Sequence, residues 1–436
     1  MAAILWTANG VRICASETED WMFAGAPTRL SFDWDAVARL VASPFDLRGS
    51  PPLQGLTILG AGEHGAIGQT PTTVWSAIKI VGRSASAPRS AAAELRERLD
   101  ECVDVMGRNS RLGVELSGGL DSSIVAGAAR AMELPIALTL NTRGPQPETD
   151  ERRFATMMAN WIGLPLEVRL RQEVVFTAEA FEATAGDPWP SQNGRDLAND
   201  LTVVEACRSA GVDRLLTGKG GDALFFQMHT PLTFADLWRR RPIQALLSPA
   251  LPGVARWTRS STWSVLRASR HALQDLKVHD LSPGKRMQIA AIESGLAYYS
   301  RCLRSDVVDM VHPLMSQPLI EWALRTPVPD LTPGGQERGL ARRVFADRLP
   351  EAIANRRAKG DYAAYFNQQT AANLPFLRDY LLGGRLADQS VFDRADMEAR
   401  LVPDRLLWRG GAAEILAAVS TEAWVRRWEA RMTAGR

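Results

Sequence analysis

Leu112-Gly113-Val114-Glu115-Leu116 runs straight into Ser117-Gly118-Gly119-Leu120-Asp121-Ser122-Ser123, and that loop runs straight into Ile124-Val125-Ala126-Gly127-Ala128-Ala129-Arg130-Ala131-Met132. The first segment is short and apolar, as a buried strand is, and the last is alanine-rich with helical character. The reading is strand, tight glycine loop, helix. Two consecutive glycines let backbone pass close to an anion. The hydroxyls of Ser117 and Ser122, with the free N–H groups of the helix start, can hold phosphate oxygens. The GK[ST] ending of a Walker A loop is missing, so the phosphate would be held in another way.

Working outward, apolar strands expected at 112–116, 136–140, 166–170 and 214–217 alternate with helical segments, the pattern of a parallel α/β sheet. Upstream, an amphipathic helix is expected from Ala92, preceded by a small-residue linker over 84–91. Residues 1–85 are rich in β-like runs, such as 56–59 and 73–81, broken by Gly and Pro. Beyond about residue 230 helical periodicity dominates, with proline breaks near Pro313, Pro327 and Pro350. Gly60-Ala61-Gly62-Glu63-His64-Gly65 matches a dinucleotide fingerprint, but no helix pattern follows it, and a hairpin is the expectation.

Composition bounds the function. In 436 residues, 51 Lys and Arg face 49 Asp and Glu, a net charge of +2 that argues against a nucleic-acid partner. The chain is 46% hydrophobic and 23% charged, as ordinary globular domains are. No apolar run approaches the roughly 20 residues that span a bilayer, and the first residues lack a signal peptide's basic region. A cytoplasmic location with no membrane partner is expected. Cys14, Cys102, Cys207 and Cys302 are far apart with no CxxC pair, which points to reduced core thiols rather than a zinc site.

A triphosphate needs a cation, and Mg²⁺ typically takes one or two carboxylates besides phosphate oxygens and water. Asp121 lies in the loop itself. Asp222 lies in Val212-Asp-Arg-Leu-Leu-Thr-Gly-Lys-Gly-Gly-Asp222, a second short strand ending in a glycine loop. In a parallel sheet both strand ends open on one edge, so the two aspartates can meet there.

SGGLDSS resembles the pyrophosphate loop of the ATP pyrophosphatases, which split ATP between its α and β phosphates. With TDERRFATMMANWIGLPL and LLTGKGGD, it resembles the synthetase domain of class B asparagine synthetases. HPLMSQPLIEWAL, QERGLARR and LPEAIANRRAKGDY extend the similarity over about residues 90–365. The resemblance implies a short β-rich N-terminal relic of an Ntn hydrolase (1–85), without a nucleophilic cysteine. An ATP pyrophosphatase domain (92–436), adenine nucleotide α-hydrolase-like, would follow it. ATP and Mg²⁺ are the implied cofactors. Adenylate contacts are implied at Leu116, Ser117, Gly118, Gly119, Asp121, Ser122, Leu140 and Gly218, with Asp121 and Asp222 on Mg²⁺. Lys359 is implied as the lysine that meets phosphate or developing negative charge.

Departures narrow the expectation. Ala2 stands where a glutamine-dependent enzyme of this kind has its cysteine nucleophile, Cys14 is too far in, and about 90 residues are too few for a whole glutaminase domain. Ala223 replaces the usual Glu, and Ser316 the usual Asp of a Pro-Phe-Leu-Asp element. Lys219 occupies the loop position that in β-lactam synthetases belongs to a proton-abstracting pair, so it is a candidate base or phosphate contact. Short-fronted members of this kind resemble the macrolactam synthetases of lasso-peptide pathways. The leading expectation is therefore an ATP-dependent ligase that adenylates an Asp or Glu side chain of a leader-cleaved core peptide and closes a ring on its N-terminal amine. A leader-recognition protein and a leader peptidase are implied as partners. The Arg- and Trp-rich stretch 237–273 is a candidate peptide groove. The alternatives are an ammonia-dependent asparagine synthetase, a small-molecule lactam synthetase, or a non-catalytic nucleotide-binding scaffold.

Overall fold

A computed structural model describes residues 3–16, 25, 27, 29–46, 51–81, 91–274, 276–277, 280–356, 360 and 362–434. Strands β1 (Ala3–Ala8) and β2 (Val11–Ala15) form a hairpin closed by Asn9 and Gly10, both at positive φ. Asn-Gly is the pair such a two-residue turn favours. The other edge of β1 pairs antiparallel with β3 (Thr57–Leu59). Asp33 caps helix α1 (Trp34–Ala42) by accepting from the Ala36 N–H at 2.9 Å.

The Gly60 to Gly65 run is a hairpin as expected: Glu63–His64 pairs antiparallel with Thr72–Thr73. The β-like run over 73–81 is corrected. Only Thr73 is strand, and Ala77–Val81 is a helical turn. Ala77 and Ile80, three residues apart, are buried against Ile320 and Leu324, and that spacing fits a helix face.

The larger sheet is built from β4 (Leu112–Glu115), β5 (Ile136–Arg143), β6 (Glu167–Leu170), β7 (Arg214–Leu216) and β8 (Asp309–Val311). Its order is β6-β5-β4-β7-β8 and every pair is parallel. All four expected strands are present. The fifth, β8, lies in the region where helical periodicity dominates; three residues are too few to show a period. Leu112, Val114 and Leu116 face a core shared with α2 (Ala91–Gly107), α3 (Leu120–Ala131) and α4 (Arg152–Ile162). Leu138, Leu140 and Leu215 face the other side, with Val203 and Cys207 of α5 (Leu197–Ala210). Burial on both faces is what a parallel sheet requires. Of the linker expected over 84–91, residues 84–90 lie outside the described residues, and Ala91 opens α2.

The chain moves outward from β4 to β5 and β6, then returns to place β7 on the other side of β4. The order therefore reverses beside β4, and in open α/β sheets ligands bind outside the carboxyl ends of the strands at such a point. The short helices α6 (Gly221–Leu224) after β7 and α7 (Gly339–Val344) flank this edge. The expected prolines stand at helix starts: Pro327 and Pro350 directly precede Val328–Leu331 and Glu351–Ala354. Among the described residues no helix is long and apolar enough to cross a membrane. Cys102, Cys207 and Cys302 are buried free thiols; Cys14, on an outer strand, is exposed and so no core thiol.

The last helix, α8 (Ala412–Ala434), brings Trp424 and Trp428 into one core with Ile4, Trp6, Val37 and Leu53. Phe32 meets Trp424 edge-on at 5.4 Å, and the Trp424 indole N–H donates to the Asp187 carbonyl at 2.8 Å. Trp424→Ala is expected to cost about 3–5 kcal/mol in denaturant unfolding. Amide exchange should accelerate in β1 as well as in α8.

Candidate functional site

The loop after β4 is closed on itself. Ser122 Oγ accepts from the Ser117 N–H at 3.3 Å and lies 3.0 Å from Ser117 Oγ; Ser123 Oγ donates to the Gly119 carbonyl at 2.8 Å. Gly118 sits at φ +76, and a Cβ there would come within 2.8 Å of the Glu151 carbonyl. Gly119 caps α3 without a side-chain bond, which leaves the first N–H groups of that helix for a ligand. Ser117 is exposed at the mouth of the loop.

The loop after β7 lies directly against it. A Cβ on Gly218 would fall 2.3 Å from the Ser122 nitrogen, and one on Gly221 would fall 2.4 Å from Asp121 Cγ. Asp121 and Asp222, each in the first turn of a helix, are thereby brought to one place. Arg338 spans them: its Nη1 donates to Asp121 Oδ2 at 2.9 Å and to Asp222 Oδ1 at 3.2 Å. Its Nη2 donates to Glu337 Oε1 at 3.1 Å, and Arg342 holds the same oxygen at 2.7 Å. Arg338 is buried and has a left-handed backbone, φ 49. Burial works against its charge, but Asp121, Glu337 and Asp222 outweigh that and raise its pKa.

These residues fit Mg²⁺ with a nucleotide. The Asp121 side chain is 11% exposed and that of Asp222 67%, so one carboxylate is enclosed and the other is open to solvent. Asp121 Oδ1 is buried with no hydrogen-bond partner among the described residues. No group of three or more His, Cys, Asp or Glu suited to a metal occurs among the described residues. A two-carboxylate site completed by phosphate and water oxygens is the chemistry left to the pair.

Leu116 and Leu140 are adjacent at the ends of β4 and β5, the Leu116 N–H donating to the Leu140 carbonyl at 2.8 Å. Asn141 Nδ2 donates to the Leu116 carbonyl at 2.7 Å. Lys359 lies outside the described residues. Arg356, near it in sequence, donates to the Gly118 carbonyl at 2.8 Å and to Glu151 Oε1 at 2.6 Å, and lies 3.8 Å over the Phe154 ring. The Gly360 N–H also donates to Glu151 Oε1, at 2.6 Å.

Lys219 is crowded on most sides yet not wholly enclosed. Its Nζ donates to Asn193 Oδ1 at 2.7 Å and lies 5.2 Å from the Tyr298 ring centre. Burial first, then the Arg304 charge, pushes its ammonium down to about 8. Arg304 is itself held 2.7 Å from Asp200. His312 donates through Nε2 to the Tyr298 carbonyl at 3.2 Å, and its Nδ1 accepts from the Thr217 hydroxyl at 2.7 Å. Burial and the Lys219 charge push His312 down to about 3, so it stays neutral.

Ser117, Gly118, Gly119, Asp121, Ser122, Gly218, Lys219 and Asp222 therefore share one edge of the sheet, with Leu116 and Leu140 at the strand ends beside them. Sequence reasoning missed Arg338, Glu151, Arg356, Asn193 and Arg304. The first three stand inside quoted motifs; the last two carry no local signal. Ser316 donates to Cys102 Sγ at 3.2 Å. In the Arg- and Trp-rich stretch, Arg239 is bonded to the Lys277 and Asp280 carbonyls and Arg240 to Asp330. A cleft of about 230 Å³ there is lined by Arg240, Arg241, Gln244 and Gly334, and by no residue of the two glycine loops.

The family model for asparagine synthase matches residues 94–426, and the chain belongs to that family. No curated protein matches the chain. Members of the family are ATP-dependent ligases that form C–N bonds, using ATP generally with Mg²⁺. Arg338→Met leaves Asp121 without its guanidinium, at a cost on the order of 3 kcal/mol. The melting temperature should fall most in chelator and recover in part with millimolar Mg²⁺, as differential scanning calorimetry would show.

Proposed function

We propose that this chain is a lasso-peptide cyclase. It activates an Asp or Glu side chain of a leader-cleaved core peptide as an acyl adenylate, releases pyrophosphate, and closes a macrolactam on the peptide's N-terminal amine with loss of AMP. The observation that carries the ATP half is the Asp121–Arg338–Asp222 bridge between two glycine loops at the reversal of strand order. Bound Mg²⁺ would neutralise the triphosphate between Asp121 and Asp222.

The chain's own residues supply the rest. The α3 start and the Ser117 and Ser122 hydroxyls bind phosphate oxygens. Gly218, lacking a Cβ, lets the second loop close on the first. Lys359 is proposed to meet the charge that develops as the α–β bond breaks, and Lys219 to serve as a base or a phosphate contact. Cys14 supports a route without glutamine hydrolysis, since it sits in mid-strand opposite Leu5. The N-terminal strands are proposed as a reduced relic of a glutaminase. In the same reading the chain is cytoplasmic and works with a leader-recognition protein and a leader peptidase. Holding acid and amine in one folded peptide replaces a bimolecular attack by an intramolecular one, and a closed cleft keeps water from the adenylate.

The test is pyrophosphate release with Mg-ATP, comparing leader-cleaved peptides from neighbouring reading frames with Asp plus ammonium, and mass spectrometry of the peptides. Peptide-dependent release with loss of one water supports the cyclase. Release with Asp and ammonium alone makes the chain an asparagine synthetase without its own ammonia source. Silence in both favours a scaffold. Asp121→Asn is expected to lower turnover by about 10²–10³-fold, the range for removing one preorganised electrostatic group.

A further inference from the structure

We infer that Gln288 and Lys285 are positioning residues for Asp222: together they form a buried strut that sets where the short helix α6 holds that carboxylate. The inference rests on the nucleotide half of the reading above and names what fixes one side of its metal site.

Asp222 stands on very little helix. α6 is four residues long, and the chain that follows it occupies two of its carbonyls: the Phe225 N–H donates to Gly221 at 2.9 Å and the Gln227 N–H to Asp222 at 2.7 Å. The last two residues, Ala223 and Leu224, are buried, and their carbonyls accept from one side-chain amide, Gln288 Nε2, at 3.2 and 3.1 Å. Carbonyls at a helix end need such partners, and leaving them unmet in the interior is costly. Gln288 thus holds the turn from within, while Arg338 holds the Asp222 carboxylate at 3.2 Å from the other side.

Gln288 cannot turn round. Its Oε1 accepts from Lys285 Nζ at 2.6 Å, and a flipped amide would set its NH₂ against an ammonium and its oxygen against two carbonyls. Lys285 is fixed in turn. Its other two N–H groups donate to the carbonyls of Ala323 at 2.9 Å and Thr326 at 2.7 Å, where the helix Gln317–Arg325 ends. Both side chains project, three residues apart, from the helix Pro283–Gly295. Asp236 anchors the start of that helix, accepting from the Gly284 N–H at 2.9 Å and the Ser282 hydroxyl at 2.6 Å.

Lys285 is 5% exposed and Gln288 is fully buried. A buried ammonium is a poor source of stability, and what this one supplies is direction. The apolar contacts of α6 do not supply it. Ala223 shares a cluster with Ile289, Ile292, Met315 and Ile320, and such packing is non-directional. The strut decides where on that surface the turn, and with it Asp222, comes to rest.

Calorimetric titration of the full chain with α,β-methylene-ATP over a Mg²⁺ series reads the metal site without turnover. Gln288→Met keeps the side-chain size and removes both carbonyl bonds. Gln288→Glu keeps a partner for Lys285 and loses only the donors. In both, the Mg²⁺ concentration for half-maximal nucleotide binding is expected to rise by about 10-fold, the low end for groups that orient a metal ligand, with parent binding regained at saturating Mg²⁺. In the metal-free chain, amides of 224–227 should exchange about 10-fold faster and those of 117–123 should not change. An unchanged Mg²⁺ midpoint in variants that bind the nucleotide overturns the inference. So does a loss that Mg²⁺ does not restore, or faster exchange in both loops alike, since either marks general loosening. If the parent chain binds no nucleotide at any Mg²⁺ concentration, the nucleotide reading falls and takes the inference with it.

Discussion

Two carboxylates stand at the ends of neighbouring parallel strands with one guanidinium between them, and most of the site follows from bringing them that close. Asp121 and Asp222 start separate helices, so each already faces the positive end of a helix. Their approach requires the second loop to lie on the backbone of the first, and that leaves no room for a Cβ at 218 or 221. Glycine in the second loop is thus a packing requirement as much as a turn requirement. Arg338 resolves the repulsion and ties in the segment before α7, while Arg356 ties the segment after Glu351–Ala354 to Gly118. Two distant stretches of chain are held to one loop by charge.

The same edge carries two electrostatic environments side by side. Around Arg338, carboxylates predominate and a buried cation is stabilised. Around Lys219, Arg304 has taken the carboxylates, and a second cation is disfavoured. A few residues of one loop, Gly218 to Asp222, separate these two environments.

Much of this was legible in the sequence because the pyrophosphate loop is local: a strand, two glycines and a helix start lie within one short run. Asp222 was legible for the same reason, and the parallel sheet supplied the argument that the two loops meet. Strand β8 was not, since three residues show no period. The 77–81 helix was misread because its apolar residues suit either element, and only burial against Ile320 and Leu324 decides. Asn193 and Arg304 could not be read locally at all. Asn193 meets Lys219 and Arg304 through contacts made across sequence separations that only the fold closes. The Asn9-Gly10 turn, by contrast, is a local hairpin signal: both residues sit at positive φ, the conformation that pair favours.

The central claim is that both glycine loops close on one nucleotide. Hydrogen exchange of the full chain with Mg²⁺ and the uncleavable analogue α,β-methylene-ATP tests it most directly. The account predicts that amides of 117–123 and of 217–222 gain protection together, and that Asp121→Asn weakens both gains. Protection confined to one loop, or gained without Mg²⁺ to the same extent, would contradict it.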